Sequence, residues 1–95
     1  MMKTDKIIPP VWRSMLYVPA TSEKFIEKAH ERGADAIKID LEDAVAPGEK
    51  PRARTLVRSA AKSVAKGGAD VLVRINRPLR MAVEDLEASV WPEVY

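Results

Sequence analysis

Short apolar runs alternate with amphipathic stretches along most of the chain. The runs 14–18, 34–40 and 70–76 are short and rich in Val, Ile and Leu, which is typical of buried strands. Each run is followed by a stretch in which apolar residues recur three or four positions apart, as on one face of a helix. The predicted order is therefore β-α-β-α-β-α, and strands that alternate with helices indicate a parallel sheet with right-handed crossovers.

Three helices are predicted between and after these strands. The first begins after Thr21 or Ser22, both good N-cap residues, and ends at Gly33, a typical C-terminal residue. The second covers 49–66 and the third 81–90. The apolar residues that should form the helix faces are Phe25, Ile26, Ala29, Ala53, Leu56, Val57, Ala60, Val64, Val83, Leu86 and Val90.

Two α/β architectures fit this order of elements. One is a small open, doubly wound sheet. The other is a (β/α)₈ TIM barrel, which needs about 250 residues, so that the 95 residues of this chain would supply only about its first three βα units. In both cases residues 1–12 are expected to form an N-terminal leader, and 13–95 the α/β portion.

Composition excludes several function classes. Apolar residues make up 46% and charged residues 32%, which is the balance of a globular chain and not of a disordered one. No stretch approaches the roughly 20 apolar residues of a membrane span, so no membrane partner is expected. A net charge of +2 with interspersed signs gives no sign of nucleic-acid binding. Cysteine is absent, and the single histidine, His30, is expected on the exposed side of the first helix, which argues against a Ser-His-Asp triad.

Charged residues stand at the ends of two predicted strands, where parallel α/β folds carry their functional groups. Asp40, Glu42 and Asp43 follow the second strand, and they could bind a divalent cation directly or through water, or form a solvated acidic turn. Arg74 lies inside an apolar run, where a guanidinium is costly unless it is paired. It should therefore meet Glu42 or Asp43 as a structural ion pair, an anionic ligand, or both.

These residues belong to ordered blocks that resemble the N-terminal part of a known family, the HpcH/HpaI aldolase/citrate lyase family. The likeness is greatest to its citrate lyase beta-subunit-like and malyl-CoA lyase branch. It extends from Arg13 to Val94. The blocks are Arg-Ser-Met-Leu-Tyr-Val-Pro at 13–19, Gly-Ala-Asp-Ala at 33–36, Asp-Leu-Glu-Asp-Ala-Val-Ala-Pro at 40–47, Lys50, Ala53-Arg54, Val-Arg-Ile-Asn at 73–76 and Asp-Leu-Glu at 85–87.

The resemblance implies a Mg²⁺-dependent carbon–carbon lyase on a TIM barrel. Such enzymes cleave or form thioesters of 3-hydroxy acids, on CoA or an acyl carrier, with an oxo-acid as the partner. By resemblance, Arg74 would bind the oxo-acid carboxylate, while Glu42 and Asp43 would be the catalytic acidic pair beside the metal, acting through water or by positioning the arginine. Tyr17 and Lys28 match positions that contact CoA, whereas Ser22 stands where some members carry an arginine for the CoA phosphates.

The resemblance also sets expectations for the rest of the enzyme. The direct metal ligands of the family, a glutamate and an aspartate, come from later strands, so none is expected in this chain and its activity alone is in doubt. A cytoplasmic homo-oligomer, a trimer or hexamer when complete, is expected. The alternative is a small non-catalytic α/β module for binding or self-association, since an open sheet exposes two edges.

Overall fold

The computed structural model describes residues 11–95, so the predicted leader lies outside the described residues except for its last two positions. Strands and helices alternate in the predicted order, and the three strands form one parallel sheet in the order β1-β2-β3. The prediction of an α/β fold with a parallel sheet is therefore confirmed. The elements are β1 (Met15–Pro19), α1 (Glu23–Ala29), β2 (Ala36–Asp40), α2 (Lys50–Val64), β3 (Asp70–Arg74) and α3 (Leu79–Ser89).

Strand register sorts the sheet side chains onto two faces. Alternate residues of a strand point to opposite faces, and in parallel register they line up in rows across the sheet. One side packs against buried helix residues and forms the apolar core. It carries the rows Leu16–Ile37–Val71 and Val18–Ile39–Val73. The opposite side, which we call the open face, carries the rows Tyr17–Lys38–Leu72 and Pro19–Asp40–Arg74.

Helix α2 buries most of the apolar face that its sequence predicts, although Leu56 of that face is only partly buried. Small and branched side chains along that face allow close packing on the sheet, and Pro51 is tolerated because it lies in the first turn. Two glycines follow the helix. A Cβ at Gly67 would collide with the backbone carbonyl of His30, and Gly68 has a left-handed φ of 87°. The buried residues of α2 are Ala53, Val57, Ala60, Ala61 and Val64.

Helix α3 contradicts the predicted apolar face. Val83, Leu86 and Val90 are 48%, 52% and 77% exposed, while the polar Asp85 and Ser89 are buried. The reason is that α3 turns its polar side toward α2 and the loop after β3, where buried polar groups require Asp85. Its apolar side instead lines a cavity of about 260 Å³ beside the free edge of β3, and no element among residues 11–95 covers it.

Helix α1 is shorter than predicted, and two side chains differ from expectation. It ends at Ala29 instead of Gly33, and Phe25 is 54% exposed rather than part of the buried stripe. His30 becomes the C-cap, with only 27% of its side chain exposed and with Nδ1 buried and unpartnered within the described residues. The turn that follows the helix brings His30 against Gly67, so the prediction of an exposed helix position was wrong.

The last residues of the chain return to the sheet. Val94 makes a parallel bridge with Val71, and the Tyr95 N–H donates to the Val71 carbonyl oxygen at 2.6 Å. They therefore add to the edge of β3 that β2 does not occupy. Within the described part of the chain, the helices are too short and too polar to span a bilayer.

Candidate functional site

A part-buried ion pair joins the carboxyl ends of β2 and β3. Arg74 donates from Nε and Nη2 to the two carboxylate oxygens of Asp40, at 2.9 and 2.6 Å. The backbone N–H groups of Glu42 and Ala44 donate to the same carboxylate, at 2.8 and 3.0 Å. The predicted partners of Arg74 were Glu42 or Asp43, and its main partner is Asp40 because the register places these two residues opposite each other.

The predicted acidic pair lies around this guanidinium at longer range. A Glu42 carboxylate oxygen is 3.8 Å from Arg74 Nε, and an Asp43 oxygen is 3.7 Å from Nη1. Glu42 also contacts Arg77, at 3.3 Å. Arg74 remains 32% exposed, and among the described residues Nη1 has only the long Asp43 contact. The site can therefore offer one fixed, charged donor to an anionic ligand.

Tyr17 lies next to Arg74 on the open face, whereas Lys28 does not. The Tyr17 ring centroid is 5.1 Å from the guanidinium carbon of Arg74. Lys28 is exposed in the last turn of α1. Because α1 runs back along the sheet from the end of β1, this last turn lies toward the opposite end of the strands. The structure thus brings together Tyr17, Arg74, Glu42 and Asp43, and separates Lys28 from them.

A lysine and an asparagine fasten the two loops that carry the site. Lys50 Nζ donates to the carbonyl oxygens of Leu41 and Glu42, at 3.1 and 2.8 Å, and to Asn76 Oδ1 at 2.8 Å. Asn76 Nδ2 donates to the Leu41 carbonyl oxygen at 2.9 Å. The loop after β2 is therefore tied to the loop after β3, which holds Glu42 in position near Arg74.

A second buried carboxylate supports the same loops from α3. Asp85 has no exposed surface, and it accepts hydrogen bonds from Arg54 Nε at 2.6 Å and from Asn76 N and Nδ2 at 2.7 and 2.8 Å. Glu84 pairs with Arg54 on the outer side, at 2.7 Å. Residues 50, 54, 76 and 85 were named in the sequence only as parts of resembling blocks, and the structure shows that they form one network.

The carboxylates near Arg74 determine how the site could contact a metal ion. No group of three His, Cys, Asp or Glu side chains among residues 11–95 is arranged to hold a metal. Asp40 is fully engaged by hydrogen bonds, which leaves Glu42 and Asp43, whose side chains are 17% and 77% exposed. Mg²⁺ keeps several waters and takes few carboxylates, so these two side chains fit contact through metal-bound water.

The pKa values of the buried carboxyl groups follow from their partners. Burial alone would raise the pKa of Asp40, but the Arg74 side chain and the N–H groups of Glu42 and Ala44 outweigh it and lower the pKa. The pKa of Asp85 is lowered in the same way, with the Asn76 N–H and Arg54 outweighing burial. The hydrogen bonds that Arg74 donates to Asp40 raise the pKa of Arg74 above its already high ordinary value, so this pair stays ionised near neutral pH.

The lowered pKa values predict that the fold loses stability in acid. Carboxyl groups with a folded pKa below the unfolded value, about 3.9 for Asp, stabilise the fold above that pH and stop doing so as pH falls through the folded pKa. Urea unfolding followed by circular dichroism should therefore give a constant free energy between about pH 5 and 7 and a falling one below about pH 4. Asp85→Asn should flatten this fall, whereas Asp43→Asn, at an exposed position, should not. A stability that rises on acidification would contradict the pairing.

Comparison with known proteins matches the chain to one family model and to several similar enzymes. The family model described as HpcH/HpaI aldolase/citrate lyase matches residues 13–91. A (3S)-malyl-CoA thioesterase of Cereibacter sphaeroides is 46% identical over 65 residues, 68% of this chain and 23% of that protein. The L-malyl-CoA/beta-methylmalyl-CoA lyase of Rhodobacter capsulatus is 39% identical over 64 residues, 67% of this chain and 20% of the lyase.

A third relative extends the match along the chain. The citrate lyase subunit beta of Escherichia coli K12 is 38% identical over 79 residues, 82% of this chain and 26% of that subunit. The chain thus spans about a quarter or less of the length of these curated relatives. The matched family segment contains β1 to α3 and every residue of the site around Arg74. The chain belongs to the HpcH/HpaI aldolase/citrate lyase family.

Proposed function

We propose that the described fold is the beginning of a (β/α)₈ barrel. Helix α3 packs beside α2, which in turn packs beside α1, and Val94 joins the free edge of β3. In the common doubly wound order 3-2-1-4, the fourth strand would lie beside β1 instead. A barrel adds each strand next to the previous one. The next βα unit of a barrel would also cover the exposed apolar side of α3.

The proposed activity is Mg²⁺-dependent cleavage or formation of a carbon–carbon bond between a thioester and an oxo-acid. The observation that carries it is Arg74, which Asp40 fixes at the carboxyl end of β3 with one guanidinium nitrogen left for a ligand. An arginine held in this way suits a carboxylate. The names of the relatives, citrate lyase and malyl-CoA lyase, agree with an acyl thioester and a small acid as substrates.

In this proposal each residue of the site has a separate role. Arg74 Nη1 donates to the oxo-acid carboxylate, and Asp40 holds the guanidinium in one orientation so that little entropy is lost on binding. Glu42 and Asp43 would hold water bound to the metal, and Tyr17 forms the wall of the site beside the arginine. Bound Mg²⁺ supplies a Lewis acid that polarises the oxo-acid carbonyl.

A chimera tests this function. In it, this chain supplies the segment that matches the Rhodobacter capsulatus lyase, and the lyase supplies the remainder. We expect Mg²⁺-dependent cleavage of at least one of the malyl, citramalyl and citryl thioesters of CoA, which EDTA abolishes, while the 95-residue chain alone cleaves none of them. The unmodified lyase is the positive control. A chimera that folds by circular dichroism but cleaves none of the three thioesters contradicts the proposal.

A further inference from the structure

Lys38 is a cation on the open face that the proposed function does not use. It lies in the middle of β2, two residues before Asp40, so that both side chains point to the same face. Its Nζ is 3.2 Å from Tyr17 Oη and 4.9 Å from the ring centroid, nearer to the hydroxyl than to the ring centre. Within residues 11–95 no carboxylate lies within salt-bridge distance of it. Lys38 therefore differs from Arg74, which Asp40 neutralises.

The hydrogen bond from Lys38 leaves donors available on this face. Tyr17 Oη accepts from Lys38 Nζ, so its own O–H proton is available for another acceptor. Lys38 is an ammonium with three donors, and the described residues 11–95 use only one of them. The Tyr17 hydroxyl and the positively charged Lys38 ammonium thus lie beside each other, and each has a donor available. This combination suits an anionic oxygen as the ligand.

The distance between this pair and Arg74 limits the size of a ligand that could contact both. Lys38 Nζ and the Arg74 guanidinium carbon lie 4.9 and 5.1 Å from the same ring centroid, so the two cations are at most about 10 Å apart. Hydrogen bonds of about 3 Å at each end leave about 4 Å or less between the ligand oxygens that bind them. Carboxylates separated by two or three C–C bonds of about 1.5 Å fit that space.

We propose that Lys38 and Tyr17 form a second anion subsite, which binds the distal carboxylate of a short dicarboxylic oxo-acid while Arg74 binds the carboxylate next to the oxo group. The Arg74 half rests on the proposed function. The subsite makes the acid partner a four-carbon dicarboxylate of the oxaloacetate type, and it disfavours monocarboxylic oxo-acids. Lys38 is then a specificity-determining residue.

A matched pair of acids tests the subsite, because oxaloacetate and pyruvate share the oxo-acid group and differ by the distal carboxylate. Titration of the ¹⁵N-labelled 95-residue chain at constant ionic strength, followed by NMR, should give an affinity for fresh oxaloacetate at least tenfold higher than for pyruvate. Lys38→Met should remove this preference and keep the pyruvate affinity. Lys38→Arg should retain part of it, and Tyr17→Phe should weaken it. Lys24→Met, which removes the same charge from an exposed position of α1, should change neither affinity.

The outcomes separate the subsite from the proposed function. Equal affinities for the two acids, both lost on Arg74→Met, overturn the subsite and leave the Arg74 assignment standing. A preference for oxaloacetate that survives Lys38→Met also overturns it, because the lysine would then be structural. Binding of neither acid by the unmodified chain overturns the subsite and the proposed role of Arg74 together.

Discussion

Arg74→Lys in the complete enzyme is expected to raise the KM for the oxo-acid about 10- to 100-fold. A hydrogen bond between charged groups contributes about 1.5–3 kcal/mol, which corresponds to this range of affinities. The physical reason is geometric. Arg74 uses Nε and Nη2 for Asp40 and keeps Nη1 for a ligand. A lysine ammonium lacks the planar, forked geometry that lets one side chain hold Asp40 and the ligand at the same time. Steady-state kinetics with varied oxo-acid measures the effect.

The control for this substitution is Arg77→Lys. Arg77 also contacts Glu42, but its side chain is 92% exposed and its charge is screened by solvent, so its conservative replacement should change the KM less than twofold. The KM for the thioester should stay constant in both variants, since Arg74 is assigned to the acid alone. If Arg74→Lys leaves kcat and both KM values unchanged, Arg74 does not bind the substrate.

The largest loss of stability is expected for Asp85→Ala, at about 3–5 kcal/mol of unfolding free energy. The carboxylate has no exposed surface and accepts from Arg54 and from two nitrogens of Asn76. Its removal leaves Nε of the largely buried Arg54 guanidinium and two buried N–H groups of Asn76 without this acceptor. Chemical unfolding followed by circular dichroism measures the change.

Glu84→Ala is the matched control for Asp85→Ala. Glu84 is the neighbouring residue on α3 and pairs with the same arginine, but its side chain is 57% exposed, so its loss should cost less than about 1 kcal/mol. Equal losses for the two variants would mean that the network of Asp85 contributes no more than a surface ion pair. In that case the network would not explain how the loops after β2 and β3 are held.

The alternation of strands and helices could be predicted from sequence because each element has a local pattern. Helix α2 is the clearest example, since its five buried residues fall on one face of the helix independently of the rest of the fold. Helix α3 was predicted incorrectly because local periodicity reports which residues are apolar, and not which side of the helix meets the sheet. The buried Asp85 requires Arg54 and Asn76, which are distant in sequence.

The site was partly predictable for the same reason. An arginine within an apolar run requires an anion, so Arg74 could be selected from its neighbours alone. Its partner Asp40 could not, because the pairing depends on the register of β2 against β3. Lys38 was missed as well, although the alternation of side chains along β2 places it on the face of Asp40. That alternation is the signal that could have found it.

The position of the oxo-acid in a crystal structure of the complete polypeptide with Mg²⁺ decides whether Arg74 binds the acid. We expect a carboxylate oxygen within about 3.2 Å of Arg74 Nη1, with Asp40 still bound at Nε and Nη2. We also expect the chain from Val94 onward to continue as a strand along β3. An oxo-acid bound away from Arg74, or a fourth strand beside β1, would contradict these expectations.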